Sequence, residues 1–266
     1  MSPSTDRPRL GIVGGGRAAW AFGSAWQECG WPIAGVSLRD GSRSELPRLL
    51  RTDTLPIDRL WSASDVILIA VPDSAIAEVS DGMPSGPGGP GVFHASGALT
   101  SDVLAPHENR FSLHPLLALP VVGDPAPLRN ALLVYEGSEK ARTLPEHLAA
   151  QCGGRLLEIS KESKILYHAA AVFSSNYVAT LLATSRALMK RAGLPADLEP
   201  WLGNLARSAI ANWERQRGRS RFTGPVARGD LAIIRQHLDA MSDQPDLAAL
   251  YSALAKVTAE HIRDDE

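Results

Sequence analysis

Leu10-Gly-Ile-Val-Gly-Gly-Gly-Arg-Ala-Ala19 is the stretch whose reading decides the fold. Four residues of apolar strand run into three glycines. The glycines run into Arg17–Glu28, where Ala, Trp and Phe recur at helical spacing until Gly30, a helix-ending glycine. Gly14-Gly15-Gly16-Arg17-Ala18-Ala19 reads G-x-G-x-x-A. In that pattern Gly14 permits the tight turn and Gly16 lets a pyrophosphate approach backbone N–H groups at a helix N-terminus. Ala19 keeps helix and strand close. Gly14, Gly15 and Gly16, with Arg17 and Ala18 in the first helical turn, therefore form a candidate dinucleotide cradle. A βα turn without a ligand can look the same. The weight comes from its setting, after an apolar strand and at the head of a βαβ series.

Outward from the turn the alternation continues. Residues 33–38 read as a second strand, and residues 44–50 as a helix after a polar turn. Residues 65–71 form a fully apolar strand, as expected where both faces of a parallel sheet are covered. Residues 91–94, 111–114, 131–135 and 155–159 read as further short strands. Helical segments at 74–80, 99–104 and 140–151 separate most of them, and 84–90 (Pro-Ser-Gly-Pro-Gly-Gly-Pro) is a loop. This is the pattern of an α/β fold with a doubly wound parallel sheet. Its character changes near residue 160. Residues 160–192 contain no Gly or Pro and predict one helix of roughly 50 Å. Helical stretches follow at 198–217, 230–241 and 246–263. The expected organisation is a Rossmann-type domain over residues 1–159 and an all-helical domain over 160–266.

The composition excludes several classes. With 27 Lys and Arg against 29 Asp and Glu, the net charge of −2 asks for no nucleic acid. Residues 1–9 are polar with two prolines, unlike a signal peptide, and the apolar run 66–71 is far short of the ~20 residues of a spanning helix. Cys29 and Cys152 are the two cysteines, without CxxC or Cys/His spacing. Neither a disulfide scaffold nor a metal site is expected, and the reducing cytoplasm is the default location.

The end of the second strand chooses the dinucleotide. NAD sites place an Asp or Glu there, on the ribose hydroxyls; this chain reads Val36-Ser-Leu-Arg-Asp-Gly-Ser-Arg43. Arg39 and Arg43 can fork around a 2′-phosphate that Ser42 can also bond, which favours NADP(H). Asp40 is the counter-indication, since one more residue of strand would make it an NAD-type acid.

Taken together, the motifs resemble the Rossmann-like proteins that carry the C-terminal domain of unknown function 2520, relatives of ketopantoate and pyrroline-5-carboxylate reductases. The segments that carry the resemblance are Gly14–Ala19, residues 65–73, 94–98, 112–116 and 167–177, and Thr223-Gly-Pro-Val-Ala-Arg-Gly-Asp230. The resemblance implies an NADP(H)-type oxidoreductase and leaves the substrate open.

A hydride acceptor sits outside the carboxyl ends of the strands. Val71, Pro72 and Asp73, ending one strand, are expected to line the nicotinamide ribose. His94 and Ser96 end the next strand, and His114 the one after. On the long helix Lys164, His168 and Ser175 fall within about 40° of one another, with Asn176 about 80° from His168. Carbonyl reduction needs a proton for the developing alkoxide and donors aimed at that oxygen. His168 is the candidate acid and His114 the alternative, with Asn176 and Ser96 orienting the carbonyl and Lys164 and Ser175 on the substrate. His94 reads better as a strand cap. The related hydroxyacid dehydrogenases use a Lys four residues before an Asn; Val172 holds that place here. Thr223 and Arg228 are candidates for a substrate carboxylate, with Asp230 as a helix cap; a purely structural turn is the alternative.

Three functions fit these residues: an NADP(H)-dependent ketoacid reductase, an imine reductase, and a non-catalytic NADP-bound sensor. Residues 178–189 keep apolar side chains on more than one face, so a homodimer built on 160–266 is expected.

Overall fold

The computed structural model describes residues 7–39, 41–125 and 128–264. Among these residues seven strands form one sheet: β1 (Leu10–Val13), β2 (Ile33–Ser37), β3 (Val66–Ile69), β4 (Gly91–His94), β5 (Arg110–Pro115), β6 (Leu132–Gly137) and β7 (Arg155–Glu158). Their order is β2-β1-β3-β4-β5-β6-β7. The chain leaves β1 for one side and returns to pair β3 on the other, so the strand order reverses beside the glycine turn.

Successive residues of β3 serve opposite faces. Val66 and Leu68 join a core with Leu10, Ile12, Phe22, Trp26, Phe93 and Phe111. Ile67 and Ile69 join a second core with Leu60, Ile76, Val92 and Leu104. This two-sided burial is why β3 is a continuous apolar run. The first face is covered by α1 (Arg17–Glu28), the short α2 (Leu46–Leu49) and α5 (Thr143–Gln151). The second is covered by α3 (Ile57–Ala63) and α4 (Asp73–Asp81).

The sheet departs from the all-parallel expectation at one place. β6 runs antiparallel to β5, whereas the other five pairings are parallel. No helix occurs among the described residues between β5 and β6, and a return without a crossover reverses direction. The helix expected at 99–104 is a 3-10 turn, Ser101–Leu104, and α3 had no counterpart in the sequence reading.

The single helix expected over 160–192 is two helices, α6 (Lys164–Ser174) and α7 (Asn176–Arg191). Ser175 interrupts them with φ −130° and ψ −72°, and its hydroxyl donates to Ala171 O at 2.7 Å and to Asn176 Oδ1 at 2.9 Å. Serine bonding back to the preceding turn is a known cause of such bends. Lys164–Arg191 is also the one stretch among the described residues long and apolar enough, by composition, to cross a membrane. Its first half is instead tied to the sheet through Lys164 and Tyr167.

The chain divides into two compact units, residues 1–177 and 178–266. The division falls later than the change of sequence character near 160, and Lys164 and Tyr167 of α6 bond Ser112 and His114 of β5. The second unit holds most of α7, then α8 (Glu199–Arg215), α9 (Pro225–Arg228), α10 (Leu231–Asp239) and α11 (Pro245–Asp264).

Candidate active site

The glycine turn is built for close approach. Gly14 has φ +113°, and a Cβ there would stand 2.4 Å from Ala70 O, so neither its conformation nor its space admits a side chain. Among the described residues nothing lies within 4 Å of the missing Cβ of Gly16, leaving open room over the start of α1. No side chain among the described residues caps that helix, and no acidic residue occupies its first turn. The N–H groups of the first turn therefore have no partner on the chain's own caps, which suits a pyrophosphate. Arg17 is exposed and Ala18 half-buried at the rim.

Arg39, Ser42 and Arg43 are exposed on the turn after β2. Ser42 N donates to Arg39 O, closing the turn. Ser44, which the sequence reading passed over, joins this turn to the cradle: its hydroxyl donates to Gly15 O at 3.0 Å. Asp40, the NAD-type alternative, lies outside the described residues.

Asp73 opens α4 after the half-buried Val71 and the exposed Pro72. Its Oδ2 accepts the Ser96 hydroxyl at 2.6 Å, and Ser96 Oγ accepts the N–H groups of Ala98 and Leu99. The Ser96 hydrogen is thus committed, and the residue serves to hold Asp73 and the turn after β4. His94 is a strand cap, as expected: Nε2 pairs with Thr100 O and Nδ1 accepts from Ser96 N. Burial pushes its pKa down to about 4.

α6 places Lys164, Tyr167 and His168 on one face, at the i, i+3, i+4 spacing of neighbours on a helix. Lys164 is 1% exposed and donates to Ser112 Oγ at 2.6 Å. Burial lowers its pKa to about 8, against the pull of Glu136 and Asp73. Glu136 is itself buried and accepts Ser101 N and Ser101 Oγ. Tyr167 Oη meets His114 Nδ1 at 2.6 Å. The His114 and His168 rings lie nearly perpendicular, with centroids 5.9 Å apart. Both rings close on Gly97, where a Cβ would stand 2.3 Å from His168 Nδ1 and 3.0 Å from His114 Nε2. His168 Nδ1 is buried without a hydrogen-bond partner among the described residues. Burial first, then the charges of Lys164 and His168, lower the His114 pKa to about 4, while Asp73 opposes them.

The structure thus brings together Asp73, Ser96, His114, Lys164 and His168 at the carboxyl ends of β3, β4 and β5. Ser175 and Asn176 form the bend after α6 and bond each other. Thr223 and Arg228 belong to the helical unit: Thr223 precedes Gly224, which has φ +91°, and Arg228 ends α9. Asp230 caps α10, accepting Ile233 N at 3.1 Å, as expected. Tyr167 and Gly97 were missed by sequence reasoning; the signal for Tyr167 was its place between Lys164 and His168. A cavity of about 680 Å³ lined by Trp61, Gly89, His107, Asn109 and Lys140 lies at the other edge, where β4 and β5 begin.

This is a Rossmann-like protein with a helical C-terminal region. More narrowly, the chain belongs to the Rossmann-like proteins that carry the domain of unknown function DUF2520. Residues 3–120 match the Rossmann-like domain and residues 131–258 match DUF2520. A Bacteroides fragilis protein assigned as an NADP oxidoreductase superimposes with a TM-score of 0.80 at 20% identity, covering 97% of this chain and 100% of that one. A Thermotoga maritima protein gives 0.74 at 23% identity, covering 96% and 99%. The NADP-bound pyrroline carboxylate reductase of Plasmodium falciparum gives 0.66 at 13% identity, covering 97% and 100%. No curated protein matches the sequence. The fold is therefore one shared with a protein assigned as an NADP oxidoreductase and with an NADP-bound pyrroline carboxylate reductase.

Proposed function

We propose that the chain is an NADP(H)-dependent reductase of a small carboxylate-bearing carbonyl compound, a 2-keto acid of the ketopantoate kind. One observation carries this reading. The open glycine cradle and the polar cluster of Asp73, His114, Lys164, Tyr167 and His168 occupy neighbouring strand ends along one edge of the sheet. Gly14–Ala18 would hold the pyrophosphate, Arg39, Ser42 and Arg43 the 2′-phosphate, and Val71–Asp73 the nicotinamide ribose. NADPH, when bound, supplies the hydride.

As hydride adds to the carbonyl carbon, the C=O electron pair moves to oxygen, which then takes a proton. His168 is the proposed donor. His114 is uncharged in the neutral range and is better suited to hydrogen-bond the oxygen. The Lys164 ammonium supplies positive potential for the alkoxide and the carboxylate. A second reading, reduction of an imine, draws on the same neutrality of His114, because a protonated imine brings its own proton. A mere cofactor-bound sensor would gain nothing from burying Lys164. The helical region is proposed to pair two copies of the chain, working in the cytoplasm.

Following NADPH oxidation against a panel of 2-keto acids and cyclic and acyclic imines tests the reading. Turnover of keto acids supports it, turnover of imines alone selects the second reading, and none with either rejects both.

A further inference from the structure

We propose that Tyr167 is a positioning residue that fixes His114 as its Nε2–H tautomer, making the imidazole a preset N–H donor to the oxygen of the group being reduced. The donor role rests on the reductase reading above; the tautomer does not.

The geometry decides which atom carries which proton. Tyr167 Oη and His114 Nδ1 are 2.6 Å apart, with the rings edge to face. Among the described residues no second acceptor stands at Oη, so the phenolic hydrogen goes to Nδ1. A neutral imidazole that accepts at Nδ1 carries its own hydrogen on Nε2. Burial supports the arrangement from both sides, raising the phenol to about 12 and lowering the imidazole to about 4. The charged and titratable neighbours of His114 are Lys164 and His168 on α6, which work against a second positive charge, and Asp73 on α4, which favours one. Two neutral partners therefore persist through the ordinary pH range.

The exposed end of this relay has a direction. His114 stands near the carboxyl end of β5, and its Nε2 sits over Gly97, just after β4, 3.0 Å from the place a Cβ would take. With no side chain on Gly97, none from that residue lies between the N–H and the edge that holds Asp73 and the glycine cradle. A donor already aimed costs no reorganisation when charge develops on the carbonyl oxygen. An outer partner that holds the ring by its other nitrogen is the usual way to keep such an imidazole in one orientation. A bond that merely tied α6 to β5 would leave kcat unmoved in a folded protein that lacks the Tyr167 hydroxyl, which separates the two roles.

Nitrogen–proton NMR of the full-length protein labelled in its histidines reads the tautomer directly. The parent is expected to show His114 with hydrogen on Nε2 and a bare Nδ1 throughout the neutral range. In Tyr167→Phe the ring is expected to exchange between tautomers. Its kcat should fall about two- to tenfold, the worth of a neutral hydrogen bond, with the NADPH Kd unchanged. A parent spectrum with hydrogen on Nδ1 overturns the proposal without any variant, even if Tyr167→Phe fails to fold. So does a folded Tyr167→Phe protein that keeps the Nε2–H form alone, or one that keeps full turnover. Failure of every carbonyl and imine to oxidise NADPH overturns the reductase reading and the donor role with it, whichever tautomer the spectrum shows.

Discussion

Lys164 Nζ lies 2.6 Å from Ser112 Oγ, and that hydroxyl is the one hydrogen-bond acceptor the ammonium has among the described residues. A lysine that is 1% exposed and bonded to a neutral oxygen is costly to keep charged. Groups held at such a cost cluster at functional sites.

The cost has a measurable sign. The Lys164 pKa falls from 10.5 to about 8 on folding, so between those values the unfolded chain binds more protons than the native one. Its contribution to stability therefore rises with pH across that window. Below about pH 8 the full penalty, on the order of 3 kcal/mol, applies. Lys164→Met should be at least as stable as the parent at pH 7, and the advantage should shrink towards pH 10. Denaturant titrations at both values check this; a constant difference would mean that the lysine is not strained. Reductase kcat/KM should fall in the same variant.

The cofactor turn makes a separate prediction. Arg39→Ala removes an exposed charge from the turn closed by Ser42 and secured to Gly15 through Ser44. NADPH affinity should drop about ten- to a hundredfold, the worth of a charged hydrogen bond of roughly 1.5–3 kcal/mol, with NADH nearly untouched. Equal losses for both cofactors, measured by fluorescence titration, would remove the 2′-phosphate role.

Gly97→Ala tests the meeting point of the two imidazoles. Its methyl would stand 2.3 Å from His168 Nδ1, so the ring must move. Overpacking of this kind costs about 1–3 kcal/mol of stability. An ångström of misplacement at a reacting group can cost on the order of a hundredfold in turnover. The expected result is a modest fall in Tm, a large fall in kcat and an unchanged NADPH Kd. Normal turnover would show that the rings' present placement does not matter to the chemistry.

His168→Ala should lower kcat by about 10² to 10⁴ if His168 delivers the proton. Cofactor affinity should hold, since the ring sits among β4, β5 and α6 and away from the glycine turn. Turnover within a few-fold of the parent would take His168 out of that role.

Much of the fold was legible because its signals are local. The G-x-G-x-x-A turn, the apolar β3 and the alternation of strand and helix depend on near neighbours in sequence, and α1 and β4 fall at the expected residues. The antiparallel β6 was not legible, since direction depends on the path of a connection that carries no periodicity. The break at Ser175 was hidden too: a helix wheel drawn through 164–176 assumes an unbroken helix, so it placed Ser175 with Lys164. At the site, the residue types were visible but their partners were not. The Tyr167–His114 bond joins residues 53 apart in the chain, and only packing of α6 on β5 reveals it. Ser96 looked like a catalytic hydroxyl until its hydrogen was found committed to Asp73.

The helical unit carries the last prediction. Its helices bury almost nothing: α10 contributes no buried residue, α8 contributes Leu202 and α11 contributes Ile262. Large apolar side chains stand in the open instead, Trp201 at 66%, Leu205 at 68% and Leu231 at 63% exposure. Eighty-nine residues with so small a core of their own cannot offset the entropy of ordering them. Soluble monomers rarely leave such faces bare, whereas an interface of standard size covers about 800 Å² on each partner and would hide several of these side chains. A second copy of the same chain offers the same faces, and two-fold pairing closes the assembly. The chain should therefore run as a homodimer of about twice 28.4 kDa by light scattering at micromolar concentration. Trp201→Glu with Leu205→Glu should lower both the mass and the Tm, because here folding and pairing are linked. A parent that scatters as a single 28.4 kDa chain would reject the dimer.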